Sequence, residues 1–333
     1  MCVYCAIGDL TFKVEGLTFN DEGLPGNFRP FVVEKAEELL FRLRVTEDGL
    51  PGFRDIGIPG EWRLVHVDKG EEADMPRLEI YKGEKGWLIL MAMTRDGEVC
   101  AELEASSDFA EAKLLIGDRK IGDRIVEGER DSGLPGYRYS DMRNFAINNA
   151  TMLLFAFTAL KYRALEMHAS VVVKGDRDTG LPGYRDTDTK ERGFLFLGKS
   201  GTGKSTHSRL WMEAFEDAWL LNDDNPVVRL EDDGVWVYGS PWSGKTPCYK
   251  NARARVGAFV RLHQAAENSI EKARPSKAYI DVYSSCSGLK FMPEVRDEMY
   301  NVISEVMKTV NVFELDCLPN VDAALLCAAM CNV

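Results

Sequence analysis

The chain has 333 residues and a net charge of −12, since 41 Lys and Arg stand against 53 Asp and Glu. This length predicts about two domains, each long enough to bury a hydrophobic core. The negative charge repels the phosphate backbone of nucleic acids and anionic lipid surfaces, which argues against both as partners.

The N-terminus and the apolar runs bear on the cellular location of the protein. Residues 1–5 contain no basic region and no long apolar run, so we predict no signal peptide. The longest apolar run, Met152 to Leu160, is too short to cross a bilayer. The eight cysteines follow no disulfide-like spacing. We therefore expect a cytoplasmic protein with reduced cysteines and no membrane partner, and we leave a homo-oligomer open.

Residues 1–139 predict a β-rich N-terminal domain of unknown role. Leu10–Val14 and Arg42–Val45 alternate apolar and polar residues, as half-buried strands do. Trp87–Met93 predicts a more apolar strand, and Phe31–Leu40 a short helix. The domain offers no constellation of catalytic side chains.

A Gly-Leu-Pro-Gly pattern followed by an aromatic residue and Arg occurs four times, beginning at Gly23, Gly49, Gly133 and Gly180. The irregular intervals exclude a solenoid repeat. Pro flanked by Gly is typical of turns. We interpret the copies as a short peptide inserted into surface hairpins, and a docking role for the aromatic-Arg pairs is the alternative.

From residue 140 onward the pattern predicts an α/β domain. Apolar residues at helical intervals predict a long helix over Asp141–Glu166, with Ser140 or Asp141 as its N-cap. The strand Val171–Val173 follows. A loop that contains the fourth repeat then leads to a short apolar strand, Phe194–Leu197.

A glycine-rich loop follows this strand and has the GxxxxGK[ST] spacing of a phosphate-binding loop. Its residues are Gly198, Lys199, Ser200, Gly201, Thr202, Gly203, Lys204, Ser205 and Thr206. The glycines let the backbone approach phosphates closely, and the loop N–H groups with the helix N-terminus supply positive charge. Lys204 is expected to bind the β- and γ-phosphates, and Ser205 to bind Mg²⁺. A plain glycine turn is the alternative, which the strand–loop–helix context disfavours.

Two carboxylates follow the next predicted strand. The helix Thr206–Glu216 leads to the strand Ala218–Leu221, which ends in Asp223 and Asp224. A single helical crossover would place this strand beside the strand before the loop, so the carboxylates would face the Mg²⁺–phosphate group. A solvated acidic turn is the alternative.

A second loop of small residues contains Ser243, Gly244 and Lys245, after a hairpin formed by Val227–Leu230 and Val235–Tyr238. We interpret it as a binding loop for the acceptor or a phosphate, or else as a tight turn. The remaining pattern predicts two strands and two helices. These are the strands Val256–Leu262 and Val312–Leu315 and the helices Met292–Met307 and Val321–Met330.

The phosphate loop, the Asp223–Asp224 pair and the upstream His168 together resemble the catalytic domain of HPr kinase/phosphorylase and of an HPr-kinase-related group. The loop sequence Ser-Gly-Thr-Gly-Lys-Ser-Thr is also similar to that of ATP-dependent phosphoenolpyruvate carboxykinase, which shares this fold. The resemblance covers residues 166–262 well. It implies an α/β, HPr kinase-like P-loop nucleotide-binding catalytic domain at 140–333, after a smaller β-rich domain at 1–139.

The resemblance also implies roles for individual residues. His168 would lie near the γ-phosphate, with a buried core histidine as the alternative. Asp223 would accept the proton of the attacking hydroxyl or orient it, and Asp224 would help to bind Mg²⁺. The chain lacks the Pro-Gly-Arg-Asn loop that HPr kinase uses for its protein substrate and for phosphorolysis. The metal ligands and oxaloacetate-binding arginines of the carboxykinases are not recognisable either.

These observations predict a Mg²⁺-ATP-dependent kinase that phosphorylates a hydroxyl group. The acceptor would be a small metabolite or a Ser on a protein, such as a phosphocarrier-like protein. Two alternatives stay open: an ATP-binding sensing module without turnover, and a plain NTPase that uses water as the acceptor.

Overall fold

A computed structural model describes residues 1–17, 23–46, 61–69, 75–117, 139–175, 191–244 and 246–332. The chain divides into two compact units, Met1–Thr158 and Ala159–Val333. Each unit contains a nine-stranded sheet, and helices accompany both sheets, so the protein is of mixed α/β class. The finer HPr kinase-like assignment stays a prediction. No helix within the described ranges is long and apolar enough to cross a membrane.

The first unit is built on a sheet of strand order β3-β1-β2-β4-β9-β8-β7-β6-β5. Its strands are β1 (Cys2–Ile7), β2 (Leu10–Glu15), β3 (Val32–Val33), β4 (Arg42–Thr46), β5 (Arg63–Lys69), β6 (Arg77–Lys82), β7 (Gly86–Ala92), β8 (Val99–Ser106) and β9 (Glu111–Ile116). The three strands predicted from sequence here are confirmed as β2, β4 and β7. The helix predicted over Phe31–Leu40 is wrong, because Val32 and Val33 pair with β1 and are held extended.

Helix α1 (Tyr139–Thr158) packs against β8 and β9 and belongs to the first unit. The Phe155 ring lies edge-on to the Phe12 ring, with centroids 6.3 Å apart. Our predicted boundary between residues 139 and 140 lies at the start of this helix, whereas the compact units divide after it. Local sequence indicates that a helix forms, but not which sheet covers its apolar side.

The first Gly-Leu-Pro-Gly copy is not a surface insertion. Leu24 and Phe28 are buried, and the Arg143 guanidinium of α1 donates to the Gly23 carbonyl at 2.9 Å. The aromatic residue of this copy, Phe28, packs edge-on against Phe12 in the core. The other three copies lie outside the described residues.

The second unit is built on a sheet of order β10-β14-β15-β16-β12-β11-β13, with β18 beside β16 and β17 beside β18. Its strands are β10 (Ala164–Glu166), β11 (Ala169–Lys174), β12 (Arg192–Leu197), β13 (Ala218–Asp224), β14 (Val227–Glu231), β15 (Gly234–Tyr238), β16 (Arg253–Gln264), β17 (Ser269–Lys272) and β18 (Asn311–Cys317). Its helices are α2 (Lys204–Ala214), α3 (Pro275–Ser285), α4 (Pro293–Val306) and α5 (Val321–Met330). The predicted strands and the last two predicted helices are confirmed.

Helices cover both faces of this second sheet, and each face has its own apolar core. On one face, Trp211 of α2 and Cys327 of α5 pack against Phe196 of β12. On the other, Val282 of α3 and Ile303 of α4 lie in one cluster with the alternate strand residues, such as Leu195. This three-layer arrangement holds the strand ends in fixed register.

The helix predicted over Asp141–Glu166 is too long, because the helix in the structure ends at Thr158. A 3-10 turn (Ala159–Tyr162) follows α1, and Arg163 adopts a left-handed φ of 58°, which ends the helical path. Ala164–Glu166 then pairs with β14 as a strand. Pairing with a distant strand therefore overrides the local helical pattern.

The prediction that β12 and β13 are adjacent strands is also wrong. The antiparallel strand β11 lies between them and pairs with both. The carboxyl ends of β12 and β13 and the amino end of β11 therefore share one edge of the sheet. This edge carries the candidate site.

Candidate active site

The phosphate loop joins the end of β12 to the start of α2. Gly201 and Gly203 have φ values of 78° and 108°, which disfavour any residue with a side chain. The Thr202 hydroxyl donates to the Lys199 carbonyl at 2.8 Å. From β16, the Gln264 amide donates to the Gly201 carbonyl at 3.2 Å. The loop is therefore braced from within and from a neighbouring strand.

Lys204 is buried at the centre of the loop. Its Nζ lies 2.6 Å from the His168 Nε2 and donates to the Gly198 carbonyl at 3.0 Å. Because the ammonium group donates, Nε2 accepts and the proton of a neutral imidazole lies on Nδ1. Burial lowers the pKa of Lys204, against the opposing effect of Asp224 and Asp223.

His168 stands between the loop and the carboxylates. It immediately precedes β11, and its side chain is 45% exposed, so it is not a core histidine. Its Nε2 lies 3.4 Å from Asp224 Oδ1. Burial lowers the pKa of His168; Asp224 opposes this, and the charges of Lys204 and Arg261 add to it.

Asp223 and Asp224 end β13 and pair with Ser170 and Ala169 of β11. Asp223 is only 3% exposed, and its Oδ2 has no hydrogen-bond partner among the described residues. Asp224 is partly exposed and faces His168. The pair therefore combines a buried carboxylate oxygen without a partner and a more accessible carboxylate.

Asn222 positions the carboxylate pair, a role that our sequence analysis missed. Its buried Oδ1 accepts from the backbone N–H groups of Asp224 and Asn225 at 3.1 and 2.9 Å. Its Nδ2 donates to the Trp242 carbonyl at 3.0 Å. Asn followed by a turn is the signal that could have revealed this role.

The second small-residue loop lies against the same carboxylates. The Gly244 N–H donates to the Asp223 carbonyl at 2.8 Å. The backbone of Ser243 pairs with that of Asp224 in an isolated antiparallel β-bridge. A Cβ at Gly244 would stand 2.9 Å from the Asp223 carbonyl oxygen, so the close approach needs glycine. Lys245 lies outside the described residues.

Two further charged residues at this edge were not recognised from sequence. Arg261 of β16 is the register partner of Leu197, where the phosphate loop begins. Glu166 of β10 is 1% exposed, and neither carboxylate oxygen has a hydrogen-bond partner within the described ranges. Burial raises the pKa of Glu166 well above its usual range; the charge of Asp224 adds to this, and Ser287 slightly opposes it.

The chemistry of the edge fits a nucleotide and Mg²⁺. Among the described residues, open space lies where a Cβ would stand on Gly201 and Gly203, and Asp223 Oδ2 lacks a partner. Ser205 is exposed on the first turn of α2. Mg²⁺ keeps several waters and needs only one or two protein oxygens, so Ser205 and Asp224 suffice. The described residues contain no group of three or more His, Cys, Asp or Glu arranged to hold a metal.

No known protein family matches this chain, and a search of curated proteins also gives no match.

Proposed function

We propose that the protein is a Mg²⁺-ATP-dependent kinase, related to HPr kinase, that phosphorylates a hydroxyl group. The observation that carries this proposal is the shared sheet edge. There, a phosphate loop with a buried lysine adjoins His168 and a buried aspartate whose Oδ2 has no partner among the described residues. A nucleotide-binding loop beside a candidate base is the minimum that phosphoryl transfer needs.

The loop and its lysine would hold the nucleotide. The N–H groups of the loop and the N-terminus of α2 attract phosphate oxygens. Lys204 is already held by His168 and the Gly198 carbonyl, so little side-chain entropy is lost when it binds phosphate. Ser205 and Asp224 would hold Mg²⁺, which neutralises charge on the β- and γ-phosphates when bound.

Asp223 would receive the proton of the acceptor. The acceptor oxygen forms a bond to the γ-phosphorus, and the bond from that phosphorus to the bridging oxygen breaks with its electron pair left on ADP. The hydroxyl proton passes to the Asp223 carboxylate. The loop at Ser243 and Gly244 contacts the backbone of Asp223 and Asp224, and we propose that it contacts the acceptor.

The test measures ADP release from Mg²⁺-ATP with pools of hydroxyl metabolites or small phosphocarrier proteins. In Asp223→Asn we expect acceptor-dependent turnover to fall about 10²–10⁴-fold, with ATP affinity kept. The exposed Asp316→Asn on β18 is the matched control and should keep full activity.

Two other outcomes would contradict the kinase, and a third would contradict the role of Asp223. ATP binding without turnover in every pool indicates a sensing module. ADP release that no acceptor stimulates indicates an NTPase. Equal activity of Asp223→Asn and the wild type removes Asp223 from the chemistry.

A further inference from the structure

Arg261 lies on the far side of the phosphate loop from Asp223. The strand order β13-β11-β12-β16 puts the two aspartates at one end of the site and Arg261 at the other. Arg261 pairs in register with Leu197, the last residue before the loop. Neighbouring strands are about 4.8 Å apart, so a guanidinium on β16 is within reach of the loop mouth.

The Arg261 side chain is largely buried but poorly paired. It is 18% exposed, and its Nε has no hydrogen-bond partner among the described residues. Its nearest carboxylate, Asp281 of α3, stays 3.8 Å away. A guanidinium has five N–H donors, and burying them without partners is costly. This group is therefore better suited to a ligand than to a structural ion pair.

Asp281 is already neutralised by another residue. Lys277 donates to both Asp281 carboxylate oxygens, at 2.7 and 2.8 Å, and also pairs with Glu314 at 2.8 Å. His263 lies 3.3 Å from Glu314. These charges hold each other without Arg261. Burial is the main cause that lowers the pKa of both His168 and Lys204, and the positive charge of Arg261 adds to it, which places this charge near the site.

We propose that the Arg261 guanidinium contacts oxygens of the transferring γ-phosphoryl group, opposite Asp223. The inference rests on the proposed kinase function and adds a second phosphoryl-binding cation to Lys204. The planar fork of arginine matches pairs of phosphate oxygens, and a guanidinium placed on the transferring group stabilises its charge. In this arrangement, the buried Nε–H, which lacks a partner among the described residues, and the terminal N–H groups bind the phosphoryl oxygens.

The experiment compares the full chain with Arg261→Gln and Arg261→Lys. Arg255→Gln is the matched control, because Arg255 lies on the same strand but pairs with Asp233 at the opposite end. Calorimetry measures the Kd of ADP and of the β,γ-methylene analogue of ATP with Mg²⁺. Thermal unfolding measures Tm, and ADP release measures kcat with and without added guanidinium chloride at low millimolar concentration.

We expect Arg261→Gln to raise the Kd of the triphosphate analogue about tenfold or more, while the Kd of ADP stays within about twofold of the wild-type value. We expect kcat to fall about 10²-fold or more, with partial recovery on addition of guanidinium. Arg261→Lys keeps the positive charge but not the planar guanidinium group, so its kcat should lie between those of Arg261→Gln and the wild type. If Arg261→Gln does not fold, Arg261→Lys carries the same comparison.

Several results would overturn the proposal. Equal weakening of ADP and the triphosphate analogue with a parallel fall in Tm indicates a structural role. A higher KM for the acceptor alone places Arg261 on the acceptor, and unchanged kinetics remove it from the site. If the wild type transfers phosphate and these results appear, only this inference fails. If the wild type binds neither nucleotide, the proposed function fails and this inference fails with it.

Discussion

Glu166 and Asp223 are both buried carboxyl residues at one edge of the second sheet, but their surroundings differ. Asp223 ends a strand at the site, and its backbone carbonyl binds the Gly244 N–H. Neither carboxylate oxygen of Glu166 has a hydrogen-bond partner in the part of the chain that the structure describes, and the Asp224 charge opposes its ionisation. A carboxyl group in such a place is stable only as the neutral acid.

Folding stability should therefore depend on pH through Glu166. Its pKa is raised in the folded state, so its contribution is fully present below the unfolded value near 4.5 and is lost as pH rises through the folded value. Glu166→Gln cannot ionise. We expect the free energy of unfolding of Glu166→Gln, minus that of the wild type, to be larger at pH 8 than at pH 5 by about 1 kcal/mol or more, because only the wild type loses stability with rising pH.

Urea unfolding at pH 5 and pH 8 measures this difference. The exposed Glu267→Gln is the control and should show the pH dependence of the wild type. The same pH dependence in Glu166→Gln and the wild type would contradict a neutral Glu166.

At the scale of elements, the junction of β12 and α2 depends on backbone conformation more than on side chains. Gly203 occupies a left-handed φ of 108° immediately before Lys204, and nothing lies within 4 Å of its would-be Cβ. The conformation, and not crowding, therefore requires glycine here. Gly198 differs, since a Cβ there would stand 3.0 Å from the Thr202 side chain.

Gly203→Ala should strain the loop by about 1–2 kcal/mol and tilt the N–H groups that we propose bind the phosphates. We expect the affinity for the Mg²⁺ complex of the ATP analogue to fall at least about fivefold, measured by calorimetry. Gly26→Ala is the control, because that position has open space and no positive φ. Unchanged affinity in Gly203→Ala would show that the loop conformation does not govern binding.

At the scale of the whole molecule, all described residues of the candidate site belong to the unit Ala159–Val333. This unit has apolar cores on both faces of its own sheet. A unit with its own core and its own site can fold and bind ligand alone.

We therefore expect the fragment 159–333 to bind the Mg²⁺ complex of the ATP analogue with a Kd within about tenfold of the full chain. The fragment 1–158 should not bind it. Calorimetry with both fragments tests this, and circular dichroism verifies that each is folded. A folded 159–333 fragment without affinity would show that the nucleotide site needs residues of the first unit.

The sequence by itself determined the features that depend on short spacing. The tight glycine-rich loop between β12 and α2 was predictable, since Gly201, Gly203 and Lys204 lie close together in the chain. That it binds phosphate stays a prediction. Most strands of the second unit were predictable for the same reason, because a short apolar run is a local signal. Helix α3 was missed although Pro275 at its first position is a helix-start signal.

Only the tertiary structure decided which distant residues meet at the site. The insertion of β11 between β12 and β13 brings His168 between Lys204 and Asp224, and the pairing of β12 with β16 brings Arg261 to the loop. The burial of Glu166, the end of α1 and its place in the first unit likewise depend on non-local packing. Strand order and register result from contacts between residues far apart in the chain, which a local pattern does not encode.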